Sequence, residues 1–436
     1  MPRVAYNQGF PPPLPTPWGD PMPFRFASLI AVSLLSAGIS AIAAEQWSQF
    51  RGPQGNGHSA AQGLPTTWSE KDNVKWKTPI HGQGWSSPVT WDDQIWVTTA
   101  PANGKEAFAI CLDAATGKVL HDLKVFDVPE PQPLGVERNS YASPTPVIEE
   151  GRIYVHFGAH GTACLDTKTG EKLWSRQDLK CNHHRGPASS PILWKDLLIL
   201  TFDGFDFQYV TALDKKTGKD VWRTERKFNY GTDNGDAMKA YSTPQVVEVD
   251  GEPQMISPAA GWTAAYDPAN GTEIWRVKTG GMNAACRPVV ADGQAFICAP
   301  DGGIQVFAVN LGGKGDVTSS HLEWKSKSGL RYSSPILVDD LLYMASDDGT
   351  VTCLEAKTAK NVWKERLGKL FMASPLYADG KLYFCDEHEK TFVVQPGREF
   401  KLLATNELPG GFMASPAVHG NALILRTKDA VWRVEK

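Results

Sequence analysis

The chain has no strong excess of charge of either sign and no run of basic residues. Its 44 Lys and Arg residues nearly balance 48 Asp and Glu residues, which leaves a formal net charge of -4 at pH 7. Aromatic and basic side chains are not interleaved as they are on surfaces that bind nucleic acid. We therefore expect no nucleic-acid partner.

The chain also lacks the short motifs that mark common catalytic sites. It contains no Gly-x-Ser-x-Gly, no paired histidines at the spacing of a zinc-binding helix and no phosphate-binding loop. The Asp/Asn cluster at 233–236 and the pair Asp203 and Asp206 do not follow the spacing of a calcium loop. Such clusters are typical of turns, so we expect neither a metal site nor catalytic residues there.

Cysteine is scarce, and no two cysteines are adjacent. None precedes Cys111, so the N-terminal region offers no acceptor for a lipid anchor. Five of the seven recur at two fixed positions of the repeat described below, which predicts small buried core residues rather than disulfide partners. Cys181 is the exception, because Cys181-x-His183-His184 could supply metal ligands. This motif lacks the second half that zinc sites usually show, so we expect a metal-free polar loop with a free or exposed thiol.

Only one long apolar stretch is present, near the N-terminus. Residues 26–44 follow Arg25 and combine a basic residue, an apolar run and a small-residue cleavage site, the three parts of a secretory signal. The stretch is short and rich in Ser, Ala and Gly, which favours a cleaved signal over a retained transmembrane anchor. We predict a signal peptide over 1–44, with Met22 as an alternative start, and a monomeric periplasmic or secreted product.

The most informative feature is a repeat in which a small or polar residue and a proline open a short apolar run. Proline cannot donate to a sheet ladder, so it is tolerated at the start of a strand or on an edge strand. A period in the forties, with hairpins between turn signals, is typical of a propeller with four-stranded blades. The eight copies are Ser87-Pro88, Ser143-Pro144, Ser190-Pro191, Thr243-Pro244, Arg287-Pro288, Ser334-Pro335, Ser374-Pro375 and Ser415-Pro416.

A second motif recurs in the third and fourth strands of most repeats. It is clearest where Asp214 is followed by Thr217-Gly218 and then by Trp222. An Asp-x-x-Thr-Gly segment suits a short turn, and the tryptophan lies eight residues after the acidic residue in each copy. We predict that these tryptophans pack between neighbouring blades. The other clear copies end in Trp174, Trp275 and Trp363.

The eighth repeat has room for only three strands before Lys436. Residues 73–78, directly before the first repeat, can supply the fourth strand, with Trp76 as its docking tryptophan. The sequence therefore predicts an all-β protein, an eight-bladed β-propeller of four-stranded antiparallel blades over residues 73–436. The ring is closed by pairing an N-terminal strand with the C-terminal blade, and residues 45–72 form an N-terminal arm.

The A-x-D-x-x-T-G-x-x-x-W repeat resembles the tryptophan-docking motif of the quinoprotein-like propellers, whose repeats are named after pyrroloquinoline quinone (PQQ). The resemblance covers nearly the whole chain after residue 73, and the segment Trp47-Ser48-Gln49-Phe50-Arg51-Gly52-Pro53 is similar to the start of secreted bacterial members. This family includes PQQ-dependent alcohol and sugar dehydrogenases as well as a cofactor-free lipoprotein subunit of the outer-membrane β-barrel assembly machine. The resemblance therefore implies the fold and leaves the function open.

A ligand site is expected where the loops that enter the inner strands meet at one mouth of the channel. The residues three places before the prolines include four aromatics and two methionines (Met372 and Met413), and six cations lie in the same loops. Flat rings with converging cations suit a planar anion such as PQQ, or an acidic sugar. Alternatively, the aromatics plug the channel, and Glu137 and Asp236 neutralise the cations. The predicted ligand-binding rim comprises Trp85, Tyr141, Arg185, Tyr241, Arg287, Arg331 and Tyr332.

Two classes of function follow from these expectations. The first is a non-catalytic exported propeller that binds a protein, peptide or polysaccharide at the rim and uses no cofactor. The alternative is a PQQ-dependent oxidoreductase, with Ca²⁺, of the alcohol or sugar dehydrogenase type. The absence of adjacent cysteines, which the methanol-type members of the family place against the quinone, favours the first class. The rim aromatics and arginines favour the second.

Overall fold

The computed structural model describes residues 9–15, 45–135, 138–301 and 305–436. Residues 9–15 are exposed and have no regular secondary structure, and the rest of the predicted signal peptide lies outside the described residues. Among the described residues, no helix is long and apolar enough to cross a membrane.

Two strands, β1 and β2, precede the first blade in the sequence, and the blades then follow in chain order. The first half of the chain forms β1 (His58–Ser59), β2 (Val74–Pro79), β3 (Val89–Trp91), β4 (Gln94–Thr99), β5 (Glu106–Asp113), β6 (Val119–Asp127), β7 (Val147–Glu149), β8 (Arg152–His156), β9 (Thr162–Asp166), β10 (Lys172–Arg176), β11 (Ile192–Trp194), β12 (Leu197–Asp203), β13 (Gln208–Asp214) and β14 (Asp220–Glu225).

The second half contains the remaining strands and two short helices, a 3-10 helix (Gly235–Met238) and α1 (Thr318–His321). Its strands are β15 (Gln245–Val249), β16 (Glu252–Pro258), β17 (Gly261–Tyr266), β18 (Glu273–Gly280), β19 (Val289–Ala291), β20 (Gln294–Ala299), β21 (Gln305–Asn310), β22 (Gly315–Asp316), β23 (Leu322–Ser326), β24 (Ile336–Val338), β25 (Leu341–Ala345), β26 (Thr350–Glu355), β27 (Asn361–Arg366), β28 (Leu376–Ala378), β29 (Lys381–Cys385), β30 (Lys390–Gln395), β31 (Lys401–Glu407), β32 (Ala417–His419), β33 (Ala422–Arg426) and β34 (Ala430–Val434).

These strands form eight separate sheets, which confirms the eight-bladed propeller. Seven blades are antiparallel meanders, from β3–β6 in blade 1 to β28–β31 in blade 7, and their four strands are consecutive except in blade 5, which consists of β19, β20, β21 and β23. Two short strands extend this pattern: β22 pairs in parallel with the outer strand of blade 4, and β1 pairs in parallel with the inner strand of blade 7. The inner strands are the shortest in most blades, as expected for strands whose other edge faces the channel.

The proline repeat is confirmed in seven blades and shifted in blade 2. Each inner strand begins directly after a proline, and in blade 2 this proline is Pro146, because β7 starts at Val147. The equivalent pair is therefore Thr145-Pro146, and the assignment of Ser143-Pro144 was wrong. Two adjacent candidate pairs in Ser143-Pro144-Thr145-Pro146 explain the error.

Hydroxyl groups at the position before these prolines link neighbouring blades around the channel. The backbone N–H of Ser87 donates to the Thr145 hydroxyl at 2.9 Å, and Ser415 N–H returns to the Ser87 hydroxyl at 3.0 Å. A buried N–H without a partner is costly, so this repeated bond explains why Ser or Thr recurs there. The five other bonds of this kind start at Thr145, Ser190, Arg287, Ser334 and Ser374. Arg287 takes the hydroxyl's position in blade 5 and still donates its own N–H.

The outer-strand tryptophans dock on the next blade, as predicted. Trp174 Nε1 donates to Lys215 O at 2.9 Å, and its ring covers Gly218 so closely that a Cβ on this glycine would lie 2.6 Å from the ring. Gly218 has a φ of +70°, so glycine suits this position in both conformation and contact, although Ala359 takes the equivalent position in blade 6 with a φ of +57°. Three further tryptophans donate to the equivalent carbonyls of the next blade, namely Trp222, Trp324 and Trp363. Trp275 departs from this pattern and donates to Gln254 Oε1.

Closure of the ring is also confirmed. β2 pairs antiparallel with β34, so an N-terminal strand completes the blade formed by β32–β34. Trp76 Nε1 donates to Ala114 O at 3.1 Å in blade 1, in the same way as the other docking tryptophans. The apolar core lies between neighbouring sheets, and all seven cysteines are buried in it as free thiols.

The segment from 45 to 59 crosses the end of the channel near the hairpin turns of the inner strands. Trp47 N–H donates to the Thr90 hydroxyl, and Thr90 N–H donates to Trp47 O. Ile148 N–H donates to Ser48 O. On the other side of the ring, Tyr377 N–H donates to Gly57 O at 2.9 Å. The segment therefore spans the channel from blades 1 and 2 to blade 7 and closes this end.

Candidate functional site

The central channel is a cup that is closed at one end and open at the other. Its cavity has a volume of about 230 Å³, and Phe50 of the N-terminal segment lies at its closed end. The hydroxyl ring forms the lower wall, because the inner strands start at this level. Its members that line the cavity are Ser87, Thr145, Ser190, Thr243, Ser374 and Ser415.

Three aromatic side chains and two methionines form the upper wall of the cup. Each lies three residues before the proline of its blade, so the loops that lead into the inner strands position them in one layer. Small residues occupy this position in the other three blades, which keeps the cup open. The layer consists of Trp85, Ser143, Ala188, Tyr241, Ala285, Tyr332, Met372 and Met413.

Of the seven residues predicted for the rim, five line this cup: Trp85, Arg185, Tyr241, Arg331 and Tyr332. Tyr141 does not, because the true register of blade 2 puts Ser143 in the layer. Its ring is buried beside Phe126 and Phe157 in the core between blades 1 and 2, with its centroid 5.5 Å from that of His160. The prediction of Tyr141 as a rim residue is therefore corrected.

Arg287 is also misplaced in the predicted rim. Its side chain is only 2% exposed and lies at the closed end of the channel, where Nη1 donates to Phe50 O at 2.6 Å and Nη2 to Gln49 Oε1. Burial and the nearby Arg51 lower the pKa of Arg287 to about 9. This arginine therefore holds the N-terminal segment instead of facing a ligand at the mouth.

The remaining arginines of the cup lie at its mouth, where carboxylates neutralise two of them. Arg331 contacts Asp301 through Nη1 and Asp347 through Nε, the latter at 3.1 Å. Arg185 lies 3.5 Å from Asp236, which is also bound by Lys239. The Lys239 hydrogen bond is the largest cause of the lowered pKa of Asp236.

Asp236 neutralises neighbouring cations, as one part of the alternative raised by the sequence expected, while Glu137 lies outside the described residues. Arg138 is exposed at the mouth, and Tyr332 beside it raises the pKa of its guanidinium. The mouth thus combines aromatic faces with nearly balanced charges. Sequence reasoning missed Phe50, Asp301 and Asp347, because none of them lies at a repeated position.

The two other polar clusters considered from the sequence are structural. Asn234 caps the 3-10 helix through Asp236 N–H, so this segment is a turn, as expected. Asp203 is fully buried in an ion pair with Arg226. Cys181 is buried rather than exposed, which corrects one of the expectations for its loop. Its Sγ lies 3.8 Å from Nδ1 of His183, and Nε2 of this histidine accepts a bond from Ala159 N–H.

Comparison with known proteins shows the family to which this chain belongs. The family described as outer membrane protein assembly factor BamB matches residues 61–256, 206–317 and 261–397, more than half of the chain. The chain therefore belongs to this family.

Individual relatives are distant. The outer membrane protein assembly factor BamB of Shewanella oneidensis is 20% identical over 305 residues, 65% of this chain and 72% of that protein. The protein of the same name from Yersinia pestis is 20% identical over 268 residues, 50% of this chain and 66% of that protein. The chain thus spans about two thirds or slightly more of their length.

Solved structures share the fold at lower identity. A europium-containing methanol dehydrogenase superposes with a TM-score of 0.69 at 12% identity, covering 89% of both chains. BamB from Moraxella catarrhalis gives 0.58 at 13% identity, covering 83% of this chain and 99% of that one. A quinohemoprotein alcohol dehydrogenase from Comamonas testosteroni gives 0.64 at 11% identity, covering 91% and 81%. At such identities the likeness shows the fold alone.

Proposed function

We propose that this protein is an exported, non-catalytic propeller that binds a loop of a partner protein at the open mouth of its cup. The observation that carries the proposal is the shape of the cup. It is closed by the N-terminal segment, and its volume of about 230 Å³ is below the roughly 300–1,000 Å³ of small-molecule pockets. It has room for one or two large side chains of a partner.

The chemistry of the wall supports a side chain as the occupant. Met372 and Met413 are flexible and polarisable, so they adapt to differently shaped apolar groups. Trp85 and Tyr332 supply large rigid faces, as is typical of residues that dominate protein interfaces. The balanced charges at the mouth suit a polar rim around this apolar centre.

Export is part of the proposal and rests on residues 1–44. The signal features of 26–44 and the relatives named as outer membrane protein assembly factors both support an exported protein. Expression of the full chain in a Gram-negative bacterium should yield a periplasmic protein that begins near residue 45, as determined by N-terminal sequencing. A cytoplasmic product with an intact N-terminus would contradict export.

The second candidate is a PQQ-dependent oxidoreductase, and the aromatic faces of Trp85, Tyr241 and Tyr332 favour it. The dehydrogenase chemistry needs a carboxylate free to act as a base, and Ca²⁺ needs a set of oxygen ligands. Asp301 is the carboxylate among the described residues of the cup wall, and Arg331 and Asn283 already hold its two oxygens. The residues present therefore fit a quinone with calcium poorly, and binding of a protein loop is the better account.

One experiment separates the two candidates. Peptides selected from a random phage-displayed library on the mature protein should bind it with micromolar affinity. Met372→Glu, which puts a charge into the cup, should weaken them at least about tenfold, a cost of about 1.4 kcal/mol. The matched control Val119→Glu adds the same charge to an exposed position on β6 and should bind like the wild type.

A titration with PQQ, with and without Ca²⁺ and followed by tryptophan fluorescence, completes the test. We expect no saturable quenching. Saturable quenching that is lost in Arg331→Ala would overturn the proposal in favour of the oxidoreductase. Selected peptides that bind Met372→Glu as tightly as the wild type would contradict the cup as the binding site.

A further inference from the structure

A second cavity lies on the same face as the mouth, beside blade 4. It has a volume of about 420 Å³, within the range of small-molecule sites. Its walls come from the loop that follows β14, the turn between β16 and β17, and the loop that follows β18. We call it the blade-4 groove and define it by Asn229, Tyr230, Gly231, Trp262, Lys278 and Asp301.

Trp262 forms a fixed aromatic wall in this groove. Its Nε1 donates to Asn229 O at 3.1 Å, and Phe228 stacks against it with ring centroids 6.0 Å apart at 28°. Tyr230 supplies a second aromatic side chain to the lining. Because the indole is held by a hydrogen bond and a stacked neighbour, its position in the wall of the groove is fixed.

Glycines keep the groove open. Gly231, Gly261 and Gly280 all have positive φ, and nothing lies within 4 Å of the position that a Cβ would take on any of them. Larger residues would be strained by the backbone conformation and would also fill the space in front of Trp262. The groove therefore stays open because these glycines have no side chains to fill it.

The main chain of the groove has few donors left for an extended peptide. Gly261 N–H donates to Gly281 O, Ala259 N–H to Trp262 O, and Met282 N–H to Pro300 O. Strand addition requires a row of free N–H and C=O groups, and these bonds occupy it. The wall therefore does not favour a peptide backbone as the ligand.

The available polar groups belong to side chains of mixed charge. Asn229 accepts from Gly231 N–H through Oδ1, which leaves its NH₂ group as a donor to a ligand. Lys278 is exposed, and Nζ lies 5.8 Å from the centroid of the Trp262 ring. Asp301 lies at the end shared with the cup, where Arg331 and Asn283 hold its two carboxylate oxygens. A neutral ligand with several hydroxyl groups and one apolar face matches this arrangement.

We propose that the blade-4 groove binds a neutral sugar unit of a glycan. The C–H face of the pyranose ring stacks on Trp262, while Asn229 and Lys278 donate hydrogen bonds to its hydroxyls. This site is separate from the cup and goes beyond the protein-loop binding proposed above.

Titration of the mature protein with cellotetraose, maltotetraose and N-acetylchitotetraose tests the site, with isothermal calorimetry as the readout. At least one of these neutral tetrasaccharides should bind saturably, with Kd on the order of 0.1–1 mM. Trp262→Ala should weaken this binding at least about tenfold. The matched control Trp194→Ala removes a partly exposed tryptophan from the inner strand of blade 3 and should leave the affinity unchanged.

Two further variants keep the test decisive. Ala237→Leu fills the groove from the 3-10 helix without removing a core side chain, so it should abolish binding even if Trp262→Ala is unstable. Tyr332→Ala, in the cup, should keep full sugar affinity, which separates failure of this proposal from failure of the first. No saturable heat with any of the three sugars up to about 10 mM, or equal binding by Ala237→Leu, would overturn the sugar site.

Discussion

The two ends of the channel use arginine in opposite ways. At the closed end, Arg287 and Arg51 are almost completely buried, and their hydrogen bonds go to backbone carbonyls and an amide of the N-terminal segment. At the open mouth, Arg331 and Arg185 are about one third exposed and are paired with carboxylates. Arginine thus holds the N-terminal segment in place at one end and belongs to a solvated rim at the other.

This difference shows that the N-terminal segment determines which end is functional. Without residues 45–59, the hydroxyl ring would be open to solvent on both sides, and Arg287 would line a through-channel. With the segment in place, Phe50 closes one end, and the remaining opening faces the aromatic layer. The cup is therefore produced by a contact between a segment before the repeats and the centre of the ring.

Removal of residues 73–78 should abolish both ends of the channel, because neither exists without a closed ring. This deletion removes most of β2, leaves the outer edge of β34 without a partner strand and takes away Trp76. We expect no soluble folded protein, as judged by the soluble fraction and near-ultraviolet circular dichroism. Lys75→Ala with Lys77→Ala, on the exposed face of the same strand, is the control and should fold normally. A soluble deletion variant with unchanged thermal melting would refute the closure.

Alanine substitution of an arginine should destabilise the protein more at the closed end than at the open end. Arg287→Ala leaves Phe50 O and Gln49 Oε1 without their donor and opens space beneath Gly55, whose backbone packs on the guanidinium. We expect a loss of about 3 kcal/mol in the free energy of unfolding. Arg331→Ala removes two partly exposed ion pairs, to Asp301 and Asp347, and should cost only about 1 kcal/mol. Equal losses in urea denaturation would show that the two ends do not differ as described.

The sequence was sufficient to predict the blades because their signals are local. A proline precedes each inner strand, and a turn glycine and a tryptophan mark most outer strands, so the number of blades and the closing strand follow from spacing. The blade 2 error arose where two prolines compete within four residues, and it moved Tyr141 from the core to the rim. The error at Arg287 has a different cause, because its partner Phe50 lies 237 residues away and no periodicity reveals that contact.

Buried histidines beside the mouth should make the folded protein sensitive to acid. His156, His160 and His183 lie in and after blade 2, and His183 O accepts a hydrogen bond from the mouth residue Tyr241. Burial lowers their pKa values to about 3, 4 and 3, respectively. Below pH 6.5 the unfolded chain binds protons that the folded protein does not, so stability is complete above this pH and is lost as the pH falls.

Each of these histidines should lower the free energy of unfolding by about 2 kcal/mol between pH 7 and pH 5. His160→Gln should therefore lose about 2 kcal/mol less than the wild type between pH 7 and pH 5, as measured by urea denaturation at both values. His81→Gln, at an exposed position, should not reduce the loss. If the free energy of unfolding of His160→Gln falls as steeply as that of the wild type, acid acts on other groups. The wall beside the mouth is then not the acid-sensitive part of the channel. A reduced loss would instead locate acid sensitivity at the open end of the channel. At the closed end, the pKa values of Arg51 and Arg287 are about 9, so these arginines stay charged between pH 7 and pH 5.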